Sequence, residues 1–294
     1  MSHAITQAFG FGMVTAAILA ISTVAVTLQY SVTRVPNFAQ GDMMTLGAYA
    51  AFQTQVFFPN LFAEAAVATI AGALFALAMN YGLIQPFQRQ GVKNIIILVV
   101  TAAVSLIVQN VILAIYGGAP VNFKLPYTQP QNYGPFTWTE RDLQIMVAAA
   151  LVLVSVHLVL RYTKFGKSQR AVSDDPQLAR VSGIDSDRVI NMTWLWAGAM
   201  TGFSGFILAA SVGTFDPSFG FAFLLVIFAA AVVGGIGQAY GAMLGALLIG
   251  LAMEISAVYI SSEYKEVVAF VLLILALLVR PSGLIAARAK NIVY

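Results

Sequence analysis

The sequence predicts an all-α, polytopic membrane protein of about eight to ten transmembrane helices, some of them short or broken. Three observations predict it. Hydrophobic residues make up 60% of the chain and charged residues 9%, against roughly 25% charged in an ordinary soluble domain. Apolar runs nearly free of charge recur at lengths close to the ~20 residues that cross a hydrocarbon core. Charge gathers in the segments between them, with the basic residues on alternate connections.

Taken in order, the runs lie near 8–31, 39–58, 65–87, 94–116, 143–160, 189–212, 219–235, 240–260 and 267–279. The last is short, and 219–260 divides in more than one way. Irregular backbone cannot face lipid. The breaks at Pro36-Asn37, Pro59-Asn60 and Gly234 to Gly237 therefore belong at membrane surfaces or inside the protein. The N-terminus lacks the basic stretch of a cleavable signal, so the first run is expected to be a retained span.

Lys and Arg in short connections set orientation. Arg89 and Lys93 form one basic group. Arg161, Lys164, Lys167, Arg170, Arg180 and Arg188 form a second, and Arg280, Arg288 and Lys290 a third. These share one side, expected to be cytoplasmic, which puts the N-terminus outside. The opposite connections hold Lys124, Glu140, Arg141 and Asp142; then Asp216; then Glu263, Lys265 and Glu266. Within a single transmembrane domain spanning 1–294, 117–142 is expected to be an extracytoplasmic connection. Its four prolines and five aromatics suit the membrane interface or contact with a docking protein.

Residues 161–188 also carry Asp174, Asp175, Asp185 and Asp187, a concentration of charge unlike the rest of the chain. Asp175-Pro176 reads as an N-cap followed by proline at the first helical position, and Gly183 as a C-terminal stop. Between them Leu178, Ala179 and Val181 make a short apolar ridge flanked by Gln177 and Arg180. Such a ridge fits a groove on a partner, or docks on the chain's own membrane domain.

Several chemistries are excluded. With no cysteine, disulfides and thiolate sites are absent. His3 and His157 have no metal-ligand spacing. Gly166-Lys167-Ser168 resembles the tail of a phosphate-binding loop, but position 161 is Arg where glycine is required. Gly235-Ile236-Gly237 starts a dinucleotide fingerprint that Tyr240 ends. No basic stripe suits nucleic acid. Gly198 and Gly202, with Gly237, Gly241 and Gly245, instead have the four-residue spacing that lets helices pack closely in lipid.

Ionisable or polar groups inside spans are costly and mark candidate paths. Glu254 lies deep in its run. Asn37, Gln40, Asp42 and Thr45 open the second, and Thr101, Ser105, Gln109 and Asn110 punctuate the fourth. Asp42 either complements a helix dipole or belongs to a broken-helix site that receives a substrate group.

Four blocks, GDMMTLGAYAAF (41–52), RAVSDDPQLARVSGIDSDRV (170–189), AGAMTGFSGFILA (197–209) and VVGGIGQAYGAMLGALLIGLAMEI (232–255), resemble the LivH-type permeases of branched-chain amino-acid ABC importers. The resemblance implies the fold of such a permease and a non-enzymatic subunit in a bacterial or archaeal plasma membrane. It implies a second, LivM-like permease, two cytoplasmic ATPases that hold the ATP and Mg2+, and an extracytoplasmic solute-binding protein. It also implies that 170–184 couples to an ATPase groove, with Arg170, Ala171, Asp174, Ala179, Gly183 and Ile184 at the pattern's characteristic positions, to which the ridge reading adds Leu178 and Arg180. The family often has Gly-Glu where this chain has Gly41-Asp42, and its relatives also carry urea, short amides and small carboxylates; the rival reading is a secondary carrier coupled to an ion gradient through Asp42 or Glu254.

Overall fold

A computed structural model describes residues 2–124, 128–280 and 283–285. Each predicted run is helical. They become α1 (Ser2–Thr33), α2 (Gln40–Phe57), α3 (Leu61–Met79), which continues through a π-helical segment (Asn80–Ile84) into α4 (Gln85–Arg89), and α5 (Asn94–Tyr116). There follow α6 (Glu140–Tyr162), α7 (Lys164–Asp174), α8 (Pro176–Val181), α9 (Ser186–Val212), α10 (Phe219–Gly234), α11 (Ala239–Ser256) and α12 (Lys265–Val279). Among the described residues six helical stretches are long and apolar enough to cross a membrane: α1, α3–α4, α5, α6, α9 and α11. The other predicted spans, α2, α10 and α12, are 18, 16 and 15 residues long.

The widened π turn stands where Pro86 enters the helix. Proline gives no N–H to the carbonyl one turn back and its ring presses on that turn, so a wider turn relieves both. α1 ends at Arg34, whose φ of +56° is left-handed and whose amide donates to Tyr30 O at 2.8 Å. Pro36 then forbids further helix.

The two ends of the bundle are set by α1. Near its start, Gln7 Nε2 donates to Thr137 Oγ1 at 3.0 Å, and Gln7 Oε1 accepts from Thr137 N at 2.9 Å. Thr137 belongs to a small hairpin, β2 (Gln131–Tyr133) with β3 (Phe136–Trp138). At the other end Arg34 Nη2 donates to Ser173 O in α7 at 2.5 Å. Those contacts are ~40 Å apart along a helix rising 1.5 Å per residue. The hairpin segment and the basic α7–α8 segment therefore occupy opposite ends. Arg89 and Arg280 lie at the α7–α8 end with the helices that carry them; Arg288 and Lys290 are outside the described residues.

α1 and α9 form the buried axis, whereas α3, α5 and α6 leave most of their apolar surface uncovered. Ile70 and Leu74 on α3, Val99, Leu106 and Ile107 on α5, and Leu151 and Val154 on α6 are exposed. Contiguous apolar surface of this extent needs lipid or an apolar partner to cover it. The chain is a multi-pass membrane protein.

Glycine sets the closest contacts. A Cβ built on Gly47 of α2 would stand 2.7 Å from Gly202 Cα in α9, and one on Gly72 of α3 would meet the same Cα at 2.7 Å. Three helix backbones thus converge on Gly202. Gly198 faces Gly72 and Ala76, and Gly241 and Gly245 of α11 face Gly234 and Ala230 of α10. Gly237 differs from the expectation that it packs helices. It stands before α11 with φ +91° and only Tyr30 Cδ1 nearby, at 4.0 Å. It is a turn residue, chosen for a backbone angle that L side chains rarely adopt.

Candidate translocation and docking sites

α2 begins deep inside the bundle. Gln40 Nε2 donates to Thr201 Oγ1 at 2.5 Å, and Thr201 lies ~22 Å along α9 from its basic end at the helical rise. Around Gln40, the Asn37 amide donates to Gln29 Oε1 at 3.3 Å and to Gln40 Oε1 at 3.5 Å. α10 begins at the same depth, because the Gly41 and Gly220 backbones are in contact. Thr45 Oγ1 accepts from Gly220 N at 2.9 Å and so satisfies one amide at the start of α10. From this meeting point α2 runs toward the hairpin end and α10 toward the basic end. Two helix N-termini, each the positive end of a helix dipole, converge on the residues that flank Asp42, with the Ala39, Gln40, Phe219 and Gly220 amides already bonded.

Asp42 is fully buried. Ser105 Oγ donates to its Oδ2, and Gln109 Nε2 donates to Ser105 Oγ at 3.2 Å. Its Oδ1 has no partner among the described residues. Thr101 Oγ1, one turn earlier on α5, accepts from Phe38 N at 3.1 Å. Thr101, Ser105 and Gln109 therefore form one seam between α5 and the start of α2. Asn110 departs from it: the side chain is exposed and donates to its own helix at Leu106 O, 2.8 Å away. The 100° step per residue turns it off the face that Gln109 shares with Ser105.

Farther toward the hairpin end the seam becomes aromatic. The Tyr49 ring lies 4.7 Å from Tyr116 and 5.1 Å from Phe215, and Phe215 lies 5.4 Å from Phe219. Phe215 is held there because β4 (Thr214–Phe215) pairs with β1 (Val121–Asn122). Tyr116 OH donates to Gln53 Oε1 at 3.2 Å, while the buried Tyr49 hydroxyl has no described partner. Sequence patterning missed this cluster. Its members come from α2, α5, the α9–α10 connection and the start of α10, and aromatics in apolar runs carry no local signal of meeting.

Glu254 lies elsewhere and does not join the Asp42 seam. Its Oε2 accepts from Lys265 Nζ at 2.6 Å, and Oε1 accepts from Thr15 Oγ1 at 3.0 Å. Both residues line a cavity of about 420 Å³ between α1, α9, α10, α11 and α12 at the hairpin end. The carboxylate sits near the end of α11, where Lys265 at the start of α12 reaches it; that ion pair accounts for a charge inside an apolar run.

The 161–188 segment folds as two helices. Thr163 caps α7 by accepting from Gly166 N at 3.1 Å, and a Cβ at Gly166 would strike the Val159–Leu160 backbone of α6. Close packing explains that glycine. Asp175 Oδ1 accepts from Gln177 N at 2.8 Å and Leu178 N at 3.0 Å, capping α8. Gly183, at φ +83°, ends it, with Ile184 N donating to Ala179 O at 3.0 Å. The predicted ridge needs one correction. Leu178 and Val181 point outward, 64% and 87% exposed, but Ala179 is buried beside Val172, Val189 and Trp194. On a helix, positions three apart share a face and the residue next to one of them does not. Arg170, Asp174 and Arg180 are exposed, and Ala171 and Ile184 are half-buried.

One connection was not foreseen. The Asp187 carboxylate takes Arg180 Nη2 of α8 at 2.6 Å on one oxygen and Arg89 Nη2 of α4 at 3.0 Å on the other. Above it Asn191 Oδ1 accepts from Asn80 Nδ2 at 2.5 Å and Gln85 Nε2 at 2.7 Å, and its Nδ2 donates to Tyr81 OH at 2.8 Å. α8 is thereby tied to the π-helical stretch between α3 and α4.

The family model for the permease component of branched-chain amino acid transport systems matches residues 8–277. The chain belongs to that family. The high-affinity branched-chain amino acid permease LivH of Escherichia coli K12 is 30% identical to this family member over 279 residues, 90% of each chain. BraD of Pseudomonas aeruginosa, also a high-affinity branched-chain amino acid permease, is 27% identical over 288 residues, 93% of each. The ribose import permease RbsC of Escherichia coli K12 is 25% identical over 276 residues, 88% of this permease and 81% of its own length. No solved structure matches the chain.

Proposed function

We propose that this permease is the membrane-spanning subunit of an ATP-driven importer for branched-chain or other hydrophobic amino acids, in the plasma membrane of a bacterium or archaeon. It forms half of the path, and a second, related permease forms the other half. Two cytoplasmic ATPases hydrolyse ATP in place of any catalysis by this chain, and an extracytoplasmic binding protein delivers the solute. The family match over nearly the whole chain supports the transport role. The observation that carries the coupling is α8: a capped helix at the basic end with Leu178 and Val181 uncovered, alongside exposed Arg180 and, on α7, exposed Arg170 and Asp174. Apolar side chains rimmed by charge, facing water, fit a groove on a soluble partner.

Substrate delivered from outside passes between the two permeases as ATPase closure, felt through 170–184, switches the access of the path. Asp187 links α8 to α4, and the Asn191 bonds continue to the turn below α3. Copurification of the tagged chain is the test. Two ATPase subunits and a second permease should come with it, and vesicles holding the complex and its binding protein should accumulate leucine only with ATP. Val181→Asp should release the ATPases and leave the permease pair intact. Leucine uptake by this chain alone, abolished by an uncoupler and indifferent to ATP, would refute the proposal.

A further inference from the structure

We propose that the α2–α5 seam is a closed solute site in which Asp42 receives the solute's ammonium group beneath an aromatic gate. The inference rests on the importer reading and names the place and the chemistry of recognition. Its first support is the carboxylate itself. Asp42 is fully buried, Ser105 holds one of its oxygens, and the other makes no hydrogen bond of ordinary geometry among the described residues. A buried acceptor left unpaired costs free energy, and an acidic side chain at this depth is tolerated where it has a task.

The second support is how α5 is held. Its outward face is bare apolar side chains, while its inward face alternates buried Ile97, Val108 and Ile112 with hydrogen bonds: Thr101 with Phe38 N just before α2, Ser105 with Asp42, and Tyr116 with Gln53. The bonds along this face can be exchanged one for one, which apolar contacts alone cannot offer. An ammonium entering the seam replaces the Ser105 hydroxyl at Oδ2 and supplies Oδ1 with the donor it lacks, a charge-assisted bond in a place without water. The solute's carboxylate then lies near the converging amino-terminal ends of α2 and α10, which favour negative charge.

The third support is the gate. Tyr49 is two helical turns from Asp42 on α2, ~10 Å toward the hairpin end. With Tyr116, Phe215 and Phe219 it closes the seam on that side. Separation of Tyr116 from Tyr49 opens the site toward the binding protein, and the same rings offer apolar walls to a branched side chain.

The chain contains no cysteine, so Gln109→Cys places a single thiol in it, one helical turn from Ser105. In vesicles holding the whole complex, a membrane-impermeant methanethiosulfonate reagent is applied from the binding-protein side, and labelling of this subunit is followed. Leucine should slow labelling about tenfold, the effect of ~1.4 kcal/mol of occupancy, while 4-methylpentanoate, which lacks the ammonium, should not. Asp42→Asn keeps the shape and should label as before but lose protection by leucine; copurification with the partner subunits reports its folding. No labelling in any nucleotide state, labelling that leucine does not slow, or protection that survives Asp42→Asn would each overturn the proposal. Leucine uptake by the unsubstituted complex is measured first: its absence overturns the importer reading and this one with it, whereas uptake with an unprotected thiol overturns this one alone.

Discussion

Gly202→Ala tests whether the bundle is held by contact between helix backbones. The added methyl would point at Ala68 O and stand 3.0 Å from Gly72 Cα, while Gly47 lies against the same residue from α2. Nearly all real Cβ contacts are longer than 3.0 Å, and ordinary ones begin at 3.4 Å. With Gly72 Cα at 3.0 Å and Ala68 O closer still, relief requires α9 to withdraw by roughly 0.5 Å or more, enough to forfeit a quarter or more of each affected dispersion contact. No side chain can rotate away, because the obstacle is backbone. A cost of about 2–3 kcal/mol follows, the upper part of the range for overpacked cores. The assay is reversible unfolding in mild detergent, with Gly82→Ala as control, since a methyl there meets nothing within 4 Å. Equal stability of Gly202→Ala and the unsubstituted protein, within about 0.5 kcal/mol, would refute the packing argument.

Three further outcomes are expected. Lys265→Met strands the Glu254 carboxylate, 15% exposed, with Thr15 as its remaining partner; a double-mutant cycle with Glu254→Gln should give a coupling of about 1–2 kcal/mol, intermediate between exposed and buried pairs. Asp175→Ala removes the acceptor for two amides of α8 and should destabilise that helix by ~1 kcal/mol; weaker ATPase binding, with unchanged thermal unfolding of the membrane bundle, is the expected readout. Asp187→Asn weakens bonds to two arginines that are more than half exposed, so stability should change by less than about 1 kcal/mol and the difference should shrink in high salt. Its effect should appear instead in the number of ATP molecules hydrolysed per solute transported.

The helices were legible because a stretch of apolar residues reports its own length, and the caps because Asp175, Pro176 and Gly183 act on neighbours within one turn. Gly198, Gly202, Gly241 and Gly245 announced themselves by spacing; Gly47 and Gly72, which meet Gly202, did not, and at Gly237 the same spacing hides a turn. Polar groups were harder. Thr101, Ser105 and Gln109 share a face with Asp42, while Asn110 beside them does not, and Glu254 belongs to Lys265. Nothing local distinguishes a carboxylate that meets a lysine on the following helix from one left half-satisfied against a serine 63 residues away.

By itself the order of residues determined that the chain enters lipid, where its apolar runs lie, which connections carry positive charge, and that one of them concentrates charge. These are properties of composition along a segment, and the bilayer sorts segments by composition. Only the tertiary structure decided the depth at which α2 and α10 begin, which rings meet at Tyr49, and that Ala179 turns inward while Val181 turns out. Those depend on helices from distant parts of the chain meeting at glycine contacts a few ångströms wide. Their fit is a property of surfaces that exist only after the helices have formed.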